Sequence, residues 1–101
     1  MYEKSNIKKL SKLGSHASAA WQSFVAFDKA ALADGAIPKK YKELMAIAVA
    51  LTTQCPYCID IHVEAARKAG VSDEELAETG FVAAALRAGA AVTHATHLLK
   101  E

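Results

Sequence analysis

"ELMAIAVALTTQCPYCIDIH", residues 43–62, decides the fold. After Glu43 the run 44–51 is apolar on every side of a helix, the pattern of a central, buried one. Thr52, Thr53 and Gln54 break that run. Pro56 cannot sit inside a continuing helix without kinking it, but it fits the first turn of a new helix, with Cys55 as the cap. The stretch therefore reads as an antiparallel helical hairpin reversing near Gln54.

Working outward, Pro38 opens the first arm of the hairpin, and Lys39, Lys40 and Lys42 read as its solvated first turn. The second arm runs to Ala69, with Gly70 as its stop. Ser72 followed three residues later by Glu75 is a capping box that starts a helix over about 73–87. Gly89 reads as an interruption before a last helix over about 90–100. Upstream, Ala17, Trp21, Phe24, Val25, Ala31 and Leu32 form one broad stripe on a helix over 15–33, capped by Gly35; such a stripe is core or subunit interface. Residues 1–14 read as an N-terminal arm or short basic helix ended by Gly14, and residues 15–101 as a single domain.

The totals agree. The chain has 101 residues, 22 of them alanine, with five glycines and two prolines; alanine is the best helix former. The expected fold class is all-α, a bundle of about six helices. Twelve basic and eleven acidic side chains nearly cancel, so charge favours neither nucleic acid nor a membrane surface. The longest apolar run, residues 44–51, falls far short of the ~20 residues that span a bilayer. A soluble, cytoplasmic protein is expected, and there a Cys-x-x-Cys pair is catalytic or metal-binding rather than a permanent staple.

On a helix starting at Cys55, the residues Cys55, Cys58 and His62 fall within an arc of roughly 60°. Glu43 lies eleven residues before the reversal and His62 eight after it. The offset along the hairpin is then only about 4.5 Å, within reach of a glutamate side chain. A carboxylate that orients an imidazole, an imidazole that takes a proton from a thiol, and a second thiol nearby make the pattern of an activated nucleophile. Cys55, at a helix N-terminus, has the dipole on its side.

The set Glu43, Cys55, Cys58 and His62, at successive offsets of twelve, three and four, resembles the carboxymuconolactone decarboxylase superfamily, and within it the AhpD-like alkylhydroperoxidases. The segment 37–78 looks like that family's core module. The resemblance implies an AhpD-like helical bundle, a homotrimer or homohexamer, and thiol-dependent reduction of hydroperoxides by a dithiol or protein thiol reductant, with no metal or organic cofactor. It makes Cys58 the peroxidatic thiol, Cys55 the resolving one, His62 the base and Glu43 the completing member of the relay. It departs at Tyr57: the peroxidases of this family carry a histidine there, so a relay member is missing or replaced by a phenol. The decarboxylases of the superfamily lack the cysteine pair, whose presence argues against lactone decarboxylation.

Other readings stay open. A disulfide reductase or redox-sensing module would exchange thiols without consuming peroxide, and there the dipole favours attack by Cys55. A zinc scaffold would draw its ligands from Cys55, Cys58, His62 and Glu43, and inert core cysteines are a further alternative. "CPYC" is also the glutaredoxin motif, but that fold needs a strand before it. His94 and His97 read as surface or interface residues, with an approach of His94 to the dithiol as an outside possibility, and Asp60 as solvated or interfacial.

Overall fold

The computed structural model describes residues 2–101, and every regular element among them is helical. A 3-10 turn, Lys4–Lys9, leads into α1 (Leu10–His16) and α2 (Ser18–Leu32). The hairpin follows as α3 (Lys39–Thr53) and α4 (Pro56–Lys68). A long α5 (Asp73–His94) and a 3-10 turn, Ala95–Leu98, complete the described chain. The all-α expectation holds, with five helices and two short turns in place of about six helices.

Two glycines behave differently from their sequence reading. Gly14 does not end a helix. It lies inside α1 and is buried, because a Cβ there would meet Trp21 Cδ1 of α2 at 2.5 Å. The break falls instead at Ala17, whose backbone (φ −143°, ψ 61°) leaves the helical region. Gly89 does not interrupt anything: α5 runs straight through it, and open space surrounds the position where a Cβ would stand. A mid-helix glycine costs about 1 kcal/mol against alanine, and its neighbours Ala88, Ala90 and Ala91 are the residues best able to carry the helix past it.

The hairpin turns on Gln54, in the left-handed region (φ 57°), whose N–H closes the last turn of α3 on the Ala50 carbonyl. Cys55 caps α4 and Pro56 fills its first position, as the sequence implies. Arg87 of α5 donates to the carbonyl of Thr52, 3.3 Å away, in the last turn of α3, where carbonyls lack partners within the helix. The Ser72–Glu75 capping box forms in both directions, and Lys40 reaches Glu75 at 3.1 Å, tying the starts of α3 and α5 together. The Ser72 backbone N–H, and after it the Lys40 ammonium, hold the Glu75 carboxyl below the ordinary carboxylate range. That tie is complete above the ordinary range and is lost as pH falls through the lowered value.

The core sits where α3, α4 and α5 meet. Ile47, Ala66 and Val71 are buried there, with Leu44, Val63 and Leu76 packed around them. Ala66 has no exposed surface and lets α3 and α4 approach closely. Beyond this core the chain is open. On α3, expected to be buried all round, Met45 and Val49 are exposed; α2 buries none of its residues, and Phe27 is 71% and Phe81 78% exposed. The radius of gyration is 16.9 Å, against about 13 Å for a compact chain of this length.

Enlarging Ala66 tests this core directly. Ala66→Leu is expected to cost about 1–3 kcal/mol through overpacking and to lower the melting temperature by roughly 4–8 °C for each of those kcal/mol. An unchanged melting curve in calorimetry would mean that α3 and α4 are not in close contact at this point.

Candidate functional site

The hairpin places Glu43 on α3 opposite His62 on α4. Glu43 is 2% exposed, and both of its carboxylate oxygens are used. Oε2 lies 2.7 Å from Nδ1 of His62. Oε1 accepts from Nζ of Lys39, one turn earlier on α3, at 3.0 Å. A buried carboxylate is tolerable when it is paired and hydrogen-bonded, and this one has a cation and a ring nitrogen on its two oxygens. A carboxylate can only accept hydrogen bonds. Facing a carboxylate, His62 Nδ1 is the hydrogen-bearing partner in this contact, and in the neutral ring that leaves the lone pair on Nε2.

The two cysteines are joined as a disulfide across the first turn of α4, with their Cα atoms 5.3 Å apart. Cys55 Sγ also accepts the backbone N–H of Cys58 at 3.2 Å. Cys55, Cys58 and His62 open on one cavity of about 610 Å³, walled by apolar side chains that include Ile7, Leu10, Trp21, Phe24 and Ile61. On the other side, an apolar groove of about 670 Å³ between α2 and α3 also reaches Cys58 and His62, though not Cys55. Cys58 and His62 thus face two apolar spaces, and Cys55 faces one.

Tyr57 stands between the cysteines, yet its hydroxyl is turned to the N-terminal segment. It accepts from the Glu3 backbone N–H at 3.1 Å and from Asn6 Nδ2 at 3.0 Å, and its ring lies against Tyr2, with centroids 4.8 Å apart. His94, the last residue of α5, and His97, in the turn after it, are exposed with ring centroids 4.7 Å apart, and they line neither space beside the dithiol. With Cys55 and Cys58 joined as a disulfide, no group of three or more His, Cys, Asp and Glu among the described residues is placed to hold a metal ion. Asp60 faces a separate hollow near Lys4 and Lys8, with Oδ2 buried and unpartnered.

Sequence reasoning missed two contributors. Lys39 is half-exposed, in keeping with a solvated first turn, but it also pairs with Glu43, and its spacing of four on one helix is the signature of that ion pair. Asn6 carries no signal, since its approach to Tyr57 spans some fifty residues of chain.

The state of the His62 ring can be observed. In wild-type protein, nitrogen NMR is expected to find the Nδ1–H tautomer of neutral His62, and Glu43→Leu to remove that preference. A wild-type ring carrying its hydrogen on Nε2 would contradict the pairing.

Comparison with known proteins identifies the family of the chain. Residues 19–101 match the model of the carboxymuconolactone decarboxylase family. Uncharacterized protein 4 in the cox locus of Paracoccus denitrificans is 49% identical over 77 residues, which span 76% of this chain and 69% of that protein. An uncharacterized protein of Cupriavidus necator is 38% identical over 66 residues, 65% of this chain and 58% of that one. The crystal structure of an apo carboxymuconolactone decarboxylase family protein from Legionella pneumophila superimposes with a TM-score of 0.76 at 34% identity, over 89% of this chain and 80% of that one. A crystal structure from Methanobacterium thermoautotrophicum does so at 0.79 and 32% identity, over 90% and 98%. With the helical architecture and these matches in agreement, the chain belongs to the carboxymuconolactone decarboxylase family.

Proposed function

We propose that this protein is a thiol-dependent oxidoreductase of the alkylhydroperoxidase type, in which Cys55 and Cys58 cycle between dithiol and disulfide. The observation that carries this reading is a disulfide-forming pair opening on the same apolar cavity as His62, whose Nδ1 is fixed by the buried Glu43. No metal or organic cofactor enters the cycle.

His62, through Nε2, takes the proton of the Cys58 thiol. The Cys58 thiolate attacks the distal oxygen of a hydroperoxide, the O–O bond breaks, and the alkoxide leaves as the alcohol after receiving that proton. Cys58 is now a sulfenic acid. Cys55 attacks its sulfur, the disulfide forms and water leaves. A dithiol or protein thiol reductant then restores both thiols, so two electrons and two protons convert one hydroperoxide to an alcohol and water. Glu43 orients the ring and balances the imidazolium that forms, and Lys39 holds the other oxygen of Glu43.

A second reading, disulfide exchange without peroxide turnover, is favoured by one contact. The Cys58 N–H points at Cys55 Sγ, and a donated N–H together with the helix dipole stabilises a thiolate. In that reaction Cys55 makes the first attack.

We also place the protein in a homotrimer or homohexamer. The exposed faces of α2, α3 and α5 leave more apolar surface bare than an isolated chain of this size keeps.

Hydroperoxide turnover with a dithiol reductant is expected to be abolished in Cys58→Ser. In Cys55→Ser it should stop after one turnover, with a sulfenic acid trapped on Cys58. His62→Gln is expected to lower the rate roughly 10²–10⁴-fold, as for loss of a general base. Full turnover by Cys58→Ser would refute the peroxidase assignment, whereas disulfide exchange without peroxide consumption in wild type would select the second reading. Sedimentation at micromolar concentration is expected to find trimers or hexamers, and a stable monomer would overturn the assembly.

A further inference from the structure

The segment before α1 is held over the dithiol by the residue between the two cysteines. Asn6, Ile7 and Leu10 form one wall of the cavity onto which Cys55 and Cys58 open. The Tyr57 hydroxyl accepts from the Glu3 N–H and from the Asn6 amide, and the Tyr2 ring packs on the Tyr57 ring. The segment has little else to hold it: the turn Lys4–Lys9 buries no residue, and only Asn6 and Ile7 in it are even half-buried. A short element with few buried contacts opens at small cost.

We propose that residues 2–10 form a gate over the dithiol cavity, that the Tyr57 hydroxyl is its latch, and that Tyr57 is thereby a specificity-determining residue. The gate governs Cys55. With it closed, Cys58 is still reached from the groove between α2 and α3, whereas Cys55 lines the gated cavity and not that groove. A small oxidant finds Cys58 by either side. A bulky disulfide or protein thiol, which has to meet Cys55, waits for the segment to lift. The proposal rests on the redox reading above only for the identity of the molecules admitted; the gate itself is a matter of access to two thiols.

Thiol labelling tests it without turnover. Reduced protein with Cys58→Ser, leaving Cys55, and with Cys55→Ser, leaving Cys58, is treated with iodoacetamide or with a polyethylene-glycol maleimide. Adding Tyr57→Phe, or deleting residues 1–9, is expected to speed polymer labelling of Cys55 on the order of ten-fold, the scale set by losing hydrogen bonds to one hydroxyl. Iodoacetamide labelling, and either reagent at Cys58, should change less than about two-fold on the same scale. Hydrogen exchange at the amides of residues 6–10 should rise in Tyr57→Phe while the α3–α4 amides stay protected. Unchanged polymer labelling of Cys55 in both variants would overturn the gate. An equal rise at Cys58 and with iodoacetamide would overturn it too, as general loosening. Neither result bears on whether the dithiol reduces peroxides.

Discussion

The contact between Glu43 and His62 sets the register of the whole hairpin. It joins α3 to α4 at 2.7 Å between two side chains that are almost or largely withdrawn from water. A one-residue slip of either helix turns its side chain by about 100° and leaves a carboxylate buried without its partner, an outcome far more costly than the loss of an exposed pair. The apolar contacts of Ile47 and Ala66 favour close packing of these helices, but apolar packing tolerates small shifts better than a paired charge does. Glu43 thus does two jobs with one carboxylate: it fixes how the helices meet and, in the proposed cycle, which nitrogen of His62 faces the chemistry.

That pairing also explains why the dithiol is built on α4 and not on a loop. Pro56 and the Cys55 cap start the helix, and the helix carries Cys58 and His62 on successive turns. The sulfurs inherit their placement relative to the imidazole from backbone geometry alone. The neighbouring walls are less constrained. α1 and α2 stack on each other through Gly14 and Trp21, and they border the cavity without adding to the buried core, so the site has a rigid floor and a looser roof.

What could be read in the sequence follows the same division. The floor was legible because its determinants are local or periodic: Pro56 after a polar break, Ser72 and Glu75 three apart, and the offsets linking Glu43, Cys55, Cys58 and His62. The roof was not. Gly14 resembles a helix stop until Trp21 is known to lie against it. Gly89 looks like an interruption because glycine often is one, and here nothing packs nearby to enforce a turn. The all-round apolar pattern of α3 reads as burial on every side, whereas only the face of Glu43, Ile47 and Ala50 is buried and Met45 and Val49 are exposed. Lys39 was legible in principle, by its spacing from Glu43, and was obscured by the lysines beside it.

Tyr57 shows how one position can move between these two regions. A neutral imidazole has a single acceptor nitrogen, and a protonated one has none. It therefore cannot accept from both the Glu3 N–H and the Asn6 amide, as the Tyr57 oxygen does. A phenol in this place exchanges a proton carrier for an anchor that can hold two donors at once. In the proposed cycle the proton traffic then falls to His62, whose orientation depends on Glu43 and not on the residue between the cysteines. The phenol leaves the floor of the site intact and anchors the roof, so under the proposed gate its consequence belongs with which molecules arrive at the thiols, and not with whether the thiols can react.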